Sequence, residues 1–397
     1  MNDCLRISKI CVIGILIYTS WIFGAFGPQN IILYSLFLIA TLCVGIDFLK
    51  TSKINKNIFC SILPLLILYA LVSTVTGMLI AVDVFHFFKA IQNFIVYSII
   101  CFEINYISYK QRNTEWILKT FATCGFLVAV TNIFFGLTTN HVVTINVSKM
   151  SEFSNPNSEG FILVFGTFSI LVLCKYKINI LSLIYMCLAV YTIFIGASRK
   201  SLIAETTLLL YAFFVFFLLD LHRDDFRKNL KKILILVMVS LVALKSVDFF
   251  ISSPIYQRLQ LFDGGFNDRY RLIENALNLF FENPLFGVGF RQYEKYFEIY
   301  SHNTYFEILS CTGLVGASMW IYYFFRLMYR NYFVNRKFFI SKNAYKFHFL
   351  FILILLFLGS GSILYYDLPS LVMLNYLFLL PKILEIQVKE NSNMERS

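Results

Sequence analysis

Long apolar runs alternate with short polar connections along most of the chain. Each run is roughly 20 residues long, which is the length that an α-helix needs to cross about 30 Å of hydrocarbon. The runs lie near residues 10–27, 31–48, 58–82, 84–102, 116–137, 159–174, 178–197, 201–221, 233–251, 305–325, 347–366 and 368–384. This pattern predicts an all-α polytopic membrane protein with about 12 transmembrane helices, organised as a single integral membrane domain over residues 1–397.

Composition agrees with this prediction. Hydrophobic residues make up 58% of the 397 and charged residues only 14%, which is more apolar surface than a water-soluble fold can bury. The net charge is +11, but the basic residues lie in short pieces between apolar runs, which excludes a nucleic-acid-binding face. The nine cysteines lie in or beside apolar segments, apart from Cys4, and predict neither a disulfide framework nor a metal site.

The charge distribution predicts the orientation. If the N-terminus is cytoplasmic, the inner loops and tails hold about 23 of the 34 lysines and arginines, against about eight in outer loops. The first run follows Arg6 and Lys9 as a signal peptide would, but no small-residue cleavage site stands out, so we expect a retained helix. Both termini are therefore expected in the cytoplasm, with a disordered tail over residues 387–397.

Two connections on the outer face exceed a simple turn. They span residues 138–160 and 252–304, and long loops on a helical scaffold often carry function. In the second, an amphipathic helix is predicted to begin at Asn267 or Asp268 and to end at Asn283-Pro284.

The predicted loop helix has one apolar stripe, made by Ile273, Ala276 and Phe280. Arg269 is in line with this stripe and is expected to point inward, as an anion-binding arginine or as the partner of a carboxylate such as Asp263 or Glu298. The opposite, polar side carries Arg271, Glu274, Asn278 and Glu282.

A second basic site is the pair Arg199 and Lys200, between two apolar runs. In the predicted topology this pair lies on the outer face, where cations are disfavoured. Either the pair binds an anionic ligand, or its side chains reach the lipid headgroups.

The polar residues His302, Asn303 and Glu307 stand where the next span begins. Ser301 or Asn303 can cap that helix, which puts His302 at the positive end of the helix dipole and favours a neutral imidazole. A neutral histidine can take a proton from a hydroxyl. The alternative is an ordinary polar residue at the membrane interface.

Four motifs in this order carry a resemblance: "FSNPNSEG", "GASRKS", "DRYRLIENAL…ENPLFGVG" and "SHNTYFEILSCTGLVG". Together they resemble the O-antigen polymerase and O-antigen ligase superfamily, over residues 150 to 320. The resemblance implies a GT-C-like, metal-independent glycosyltransferase without a cofactor. Its donor would be an oligosaccharide on a polyprenyl diphosphate, used at the outer face of the bacterial plasma (inner) membrane, alongside membrane lipids and the flippase and chain-length regulator of the same pathway.

The resemblance also implies site residues. Arg199 and Arg269 match the arginines expected to hold the diphosphate, and His302 matches the histidine expected to act as base. The further candidates are Lys200 and Arg271 for the diphosphate, and Asn157, Asn303 and Glu307 in support. Ile273 replaces a frequent tryptophan, and Cys311-Thr312 replaces an acidic residue before Gly313.

Elementary chemistry is compatible with these roles. Fixed guanidinium groups can stabilise the negative charge that develops on a diphosphate leaving group, and the outer loops lack the DxD-like pair expected of a metal-assisted transferase.

Three functions remain open. A polymerase and a ligase would share these residues and differ in the acceptor. We favour the polymerase, because such enzymes are commonly rich in Phe, Ile and Tyr, without an extra soluble domain. A flippase or other transporter predicts charged spans and related halves; only Lys89, Lys119 and Lys245 are basic residues within predicted spans.

Overall fold

A computed structural model describes residues 3–22, 30–51, 61–138, 156–195, 198–218, 262–339 and 342–394. These residues form helices and no strand. In chain order the α-helices are α1 (Asp3–Ile17), α2 (Asn30–Lys50), α3 (Leu63–Ile80), α4 (Val84–Gln111), α5 (Glu115–Thr138), α6 (Pro156–Leu173), α7 (Ile180–Ile195), α8 (Arg199–Tyr211), α9 (Phe262–Glu282), α10 (Tyr293–Phe297), α11 (Thr304–Tyr329), α12 (Lys342–Gly359) and α13 (Leu368–Met394). The prediction of an all-α protein is confirmed.

Within the described residues, seven helices are long and apolar enough to cross a membrane: Asp3–Ile22, Ile31–Lys50, Leu63–Ile80, Val84–Gln111, Glu115–Phe134, Thr304–Phe333 and Leu368–Glu390. Three shorter apolar helices are Asn157–Leu173, Ile180–Phe194 and Asn343–Gly359. The predicted span 233–251 lies outside the described residues. A multi-pass membrane protein is therefore supported, while the total of about 12 spans stays a prediction.

Several predicted boundaries are wrong. The helix predicted over 84–102 continues to Gln111. The span predicted over 347–366 ends at Gly359, because residues 360–367 form a Gly- and Ser-containing connection. The tail predicted to be disordered from residue 387 is helical as far as Met394. Ion pairs of Glu385 with Lys382 and Lys389, each 2.8 Å, and a pair between Glu390 and Arg112 hold this last segment.

The packing contacts group the chain into two compact units. Unit 1 contains residues 1–19, 28–117 and 266–397. In unit 1, α1 packs on α2, α3 packs on α4, α11 packs on α3, and α13 packs on α4. Bulky aromatic side chains fill its core, among them Tyr69, Phe94, Phe290, Trp320 and Tyr365.

Unit 2 contains residues 20–27 and 118–265. Its described core is a three-helix group in which α6, α7 and α8 contact one another. Glu205 of α8 is fully buried there and accepts a 2.6 Å hydrogen bond from the Thr167 hydroxyl of α6. Buried polar groups in proteins are normally hydrogen-bonded, and the Thr167 hydroxyl provides such a bond to the Glu205 carboxyl.

Candidate functional site

The loop helix α9 is amphipathic, and it ends at Glu282, directly before Asn283-Pro284 as predicted. It begins at Phe262, five residues before Asn267, where it was predicted to begin. Its buried side chains are Leu272, Ala276 and Leu279, which cluster with Val288, Tyr293 and Cys311. The Tyr293 hydroxyl donates a 2.8 Å hydrogen bond to the Leu272 carbonyl and fixes the helix to the following loop.

The predicted stripe is shifted by one residue at two of its three positions. Ile273 and Phe280 are only partly buried, whereas their neighbours Leu272 and Leu279 are buried. Arg269 is exposed, so the prediction that it points inward is wrong. From Arg269 onward, the first buried residue of the helix is Leu272. Arg271 is also exposed, as expected of the polar side.

The segment Pro284–Gly289 is inserted into a break in α11. Gly313 interrupts that helix with φ 60° and ψ −161°. The amides of Leu314 and Val315, which would bond within an unbroken helix, donate instead to the carbonyls of Pro284 (2.9 Å) and Leu285 (3.2 Å).

The break in α11 also leaves two carbonyls without their usual helical donors, and residues 284–289 donate hydrogen bonds to both. Val288 N donates to the Ser310 carbonyl and Gly289 N donates to the Cys311 carbonyl, each at 2.9 Å. All four backbone groups are therefore satisfied, as burial requires. We call this exchange the backbone interlock.

The interlock needs glycine on both sides. A Cβ at Gly313 would lie 2.4 Å from the Leu285 carbonyl atoms, and one at Gly287, whose φ is 69°, would lie 2.4 Å from Cys311 C. Their pairing could not be seen, because the partner backbone is distant in sequence.

Tyr69 joins the loop to the helices. Its ring contacts Phe290 of the loop (centroids 5.9 Å apart), Trp320 of α11 (5.7 Å) and Tyr365 of the 360–367 connection (6.1 Å). Its hydroxyl lies 3.3 Å from Thr312 Oγ1. Phe290 thereby anchors the loop to α3, and through Tyr69 to α11 and the 360–367 connection.

His302 lies in a tight turn immediately before α11. Its φ is 57°, in the left-handed region that few non-glycine residues adopt. Asn303 caps α11, as predicted, with its side chain accepting from the amides of Tyr305 (3.0 Å) and Phe306 (3.3 Å). The His302 ring contacts the Tyr300 ring, with centroids 4.0 Å apart.

Glu307 holds this turn from inside the protein. Its fully buried carboxyl accepts hydrogen bonds from the Ser301 hydroxyl (2.8 Å) and the Ser301 amide (3.1 Å). The Asn303 amide in turn donates to Ser301 Oγ (3.2 Å). We call Ser301, His302, Asn303 and Glu307 the histidine turn.

A polar pocket of about 570 Å³ lies beside this turn. We call it the Arg291 pocket. Its lining residues are His86, Arg291, Glu294, Lys295, Glu298, Ile299 and Tyr300. Tyr300 therefore belongs both to the pocket wall and to the contact with His302.

Tyr366 connects the pocket to the histidine turn. Its hydroxyl lies 3.1 Å from Glu307 Oε1 and 3.2 Å from Glu294 Oε1. Burial, followed by the nearby Glu307 carboxyl, raises the pKa of Tyr366 well above its ordinary value, so the phenol remains protonated. The Arg291 guanidinium lies over the Tyr366 ring, 4.3 Å from its centroid.

The pocket wall is fixed by ion pairs. Arg291 pairs with Glu294 at 2.6 Å, and Lys295 pairs with Asp83 at 3.1 Å. A hydrogen bond from the His86 amide, together with Lys295, lowers the pKa of Asp83, so this carboxylate stays ionised at neutral pH.

Sequence reasoning missed most of the Arg291 pocket. Tyr366 was interpreted as part of a transmembrane run, although the preceding Gly-Ser-Gly-Ser, residues 359–362, is a turn signal that could have ended it. His86 and Arg291 are far apart in sequence, and no local pattern indicates that they meet.

In unit 2, two of the predicted motifs meet. Ser198 Oγ lies 3.0 Å from Asn157 Oδ1 and 2.8 Å from Ser201 Oγ. Arg199 and Lys200 begin α8 directly after Ser198 and are partly buried. Arg199 belongs to unit 2, whereas His302 belongs to unit 1.

Comparison with known proteins adds one match. Residues 181–321 match the family model described as O-Antigen ligase. The match contains Arg199, Arg269 and the histidine turn, and it confirms the resemblance to the O-antigen ligase and polymerase superfamily. No curated protein matches the chain.

Proposed function

Because residues 181–321 carry the similarity to O-antigen ligase, we propose that the protein is a metal-independent glycosyltransferase of surface polysaccharide synthesis. In this proposal it is an O-antigen or capsule-type polymerase of the bacterial inner membrane. It transfers glycan from a polyprenyl diphosphate carrier to a second lipid-linked repeat on the outer face. Its working partners would be membrane lipids, the flippase and the chain-length regulator of the pathway.

The proposed reaction is a displacement at the anomeric carbon of the donor sugar. An acceptor hydroxyl loses its proton to the His302 imidazole, and its oxygen forms the new bond to that carbon. The bond between the anomeric carbon and the diphosphate oxygen breaks, and its electron pair stays on the diphosphate. Arg199 and Arg269, with Lys200 and Arg271 as further candidates, stabilise that negative charge.

One observation carries the proposal: the matched residues include a histidine held at a helix start by Asn303 and Glu307. Such a turn, together with the contact between the His302 and Tyr300 rings, supports a fixed position for the imidazole. The partly buried Arg199, set next to the Asn157–Ser198 contact, supports a second, anion-binding element.

A ligase is the second candidate, because the matching family is described as O-Antigen ligase. Its acceptor would be a lipid core sugar. The polymerase is preferred because the chain is rich in Phe, Ile and Tyr, with 44 Phe and 24 Tyr, as is common among polymerases of this superfamily.

Deleting the gene and separating the surface glycan by gel electrophoresis distinguishes these functions. A polymerase predicts loss of the ladder, with one repeat retained on the lipid anchor. An unsubstituted anchor indicates the ligase instead. A normal ladder contradicts both.

A further inference from the structure

The Arg291 pocket has a different electrostatic character from a diphosphate site. Both of its cations are already paired, Arg291 with Glu294 and Lys295 with Asp83. Glu298 adds a further carboxylate to the wall. A diphosphate entering this pocket would meet the carboxylates of Glu294 and Glu298 and would have to break ion pairs to reach a cation, so the pocket does not suit the carrier's head group.

The pocket suits a ligand with many hydroxyl groups. The lining side chains include His86, whose Nε2 lies 3.7 Å from Glu294 Oε2, together with Arg291, Lys295 and Glu298. Carboxylates accept hydrogen bonds, guanidinium and ammonium groups donate them, and an imidazole can do either. Sugar hydroxyls both donate and accept, and can therefore use this mixed lining without bringing a net charge.

The size and the aromatic wall agree with a sugar. The volume of about 570 Å³ is within the range of about 300–1,000 Å³ typical of small-molecule sites. Tyr300 offers the pocket an aromatic side chain, which combines an apolar body with a polar tip. Its ring also touches His302, so the pocket is one residue away from the proposed base.

We infer that the Arg291 pocket binds the acceptor end of the glycan, as one or more sugars without an acidic group, and presents a hydroxyl toward His302. This inference rests on the proposed function and assigns the acceptor to this pocket. The carrier diphosphate binds elsewhere, at the arginines proposed above. Glu298 and Tyr300 contact the acceptor and determine which sugar is accepted.

The test measures binding without transfer, using the full-length protein in lipid nanodiscs. The probe is the repeat oligosaccharide released by mild acid from the bacterium's own lipid-linked intermediate, titrated by calorimetry. Glu298→Ala and Tyr300→Leu are each expected to weaken its binding about tenfold or more, the scale of one lost charge-assisted or aromatic contact. Glu282→Ala, which removes an exposed carboxylate from α9, is the matched control and should bind as the wild type does.

A second probe, inorganic pyrophosphate, tests the choice of ligand. It should not compete with the oligosaccharide, and its own binding should not change in Glu298→Ala. Unchanged oligosaccharide affinity in both pocket variants, or displacement of the oligosaccharide by pyrophosphate, would overturn the inference.

Transfer kinetics separate a binding role from a structural one. Both pocket variants should raise the KM for acceptor and leave the KM for donor unchanged, whereas general misfolding would lower kcat for all substrates. The failure of the proposed function can be distinguished from the failure of this inference. A normal ladder in the deletion strain would refute the polymerase. If oligosaccharide binding still depends on Glu298 in that case, the saccharide pocket is retained.

Discussion

At the scale of single residues, the histidine turn concentrates backbone strain beside the proposed chemistry. His302 has φ 57°, a conformation that costs a side-chain-bearing residue roughly 1–3 kcal/mol. Ser301 and Asn303 on either side are fixed by hydrogen bonds to Glu307 and to the amides of α11. The turn is therefore maintained by its surroundings, and we propose that Glu307 is a positioning residue for His302.

Glu307 provides a test of that positioning role. Glu307→Ala leaves the buried Ser301 amide without its acceptor, at a cost of about 1–3 kcal/mol, and should lower the thermal midpoint and abolish polymer. Glu307→Gln keeps an amide oxygen facing Ser301 and should retain much of both. Stability is read from thermal melts of purified protein, and activity from the ladder per folded protein.

Glu274→Ala is the control for this pair, because Glu274 is exposed on α9. It should match the wild type in both measurements. If Glu307→Ala also matches the wild type, the turn does not depend on Glu307.

The structure removes the reason for preferring Arg269 over Arg271 as the diphosphate-binding arginine. Sequence periodicity favoured Arg269 over Arg271 because Arg269 was expected to be buried. Both are exposed, so burial does not separate them, and both remain candidates for the diphosphate. Asn303, in contrast, could be predicted as a cap, because the capping rule depends only on neighbouring residues.

At the scale of elements, the backbone interlock explains how a long loop is held on a transmembrane helix. A continuous α11 would bond the Leu314 and Val315 amides to the Ser310 and Cys311 carbonyls. These two internal bonds are replaced by four bonds to residues 284–289. The end of α9 at Asn283-Pro284 could be predicted from the local sequence, because Asn and Pro end a helix at their own position. The local sequence could not predict the break at Gly313, since that depends on a backbone some 25 residues away.

Gly313→Ala tests the interlock. The substitution forces a Cβ into the space of the Leu285 carbonyl, 2.4 Å away, in a conformation that costs at least about 1–3 kcal/mol for a non-glycine residue. We expect a clearly lower thermal midpoint and loss of polymer.

Gly45→Ala, within α2, is the matched control. A Cβ there meets nothing within 4 Å, and alanine is the better helix former by roughly 0.5–1 kcal/mol. Its melting should equal or exceed that of the wild type. If the thermal midpoint of Gly313→Ala equals that of Gly45→Ala, the break in α11 does not need glycine.

At the scale of the whole molecule, hydrophobic runs predicted the helices well because each run is a local property. The pattern placed α2, α5 and α7 within a few residues of their observed ends. It extended the run over 347–366 too far, since apolar residues continue past Gly359 into a connection. The hydrophobic pattern could not predict the Arg291 pocket, which is formed by α4 and the loop before α11, because the contacts in this pocket join distant parts of the chain.

Orientation is a whole-molecule prediction that rests on lysine and arginine counts. Cysteines introduced as Asp225→Cys and Asp263→Cys should react with a membrane-impermeant thiol reagent from opposite sides, Asp263→Cys from outside. Asp225 lies outside the described residues, and its expected side comes from sequence alone. The unmodified protein, with its nine cysteines, gives the background labelling. If both introduced cysteines react from the same side, the predicted orientation is wrong, and so is the placement of the proposed site on the outer face.

The measurement that tests the central claim most directly is glycan transfer by purified His302→Gln from a purified lipid-linked donor, in EDTA and per folded protein. Glutamine can hydrogen-bond but cannot take a proton at neutral pH, so transfer should fall by about 10²–10⁴-fold, the range for a lost general base. His348→Gln, at a buried histidine bonded within α12, is the control and should transfer normally. A His302→Gln rate near that of the wild type, or inhibition of the wild type by EDTA, would contradict the account.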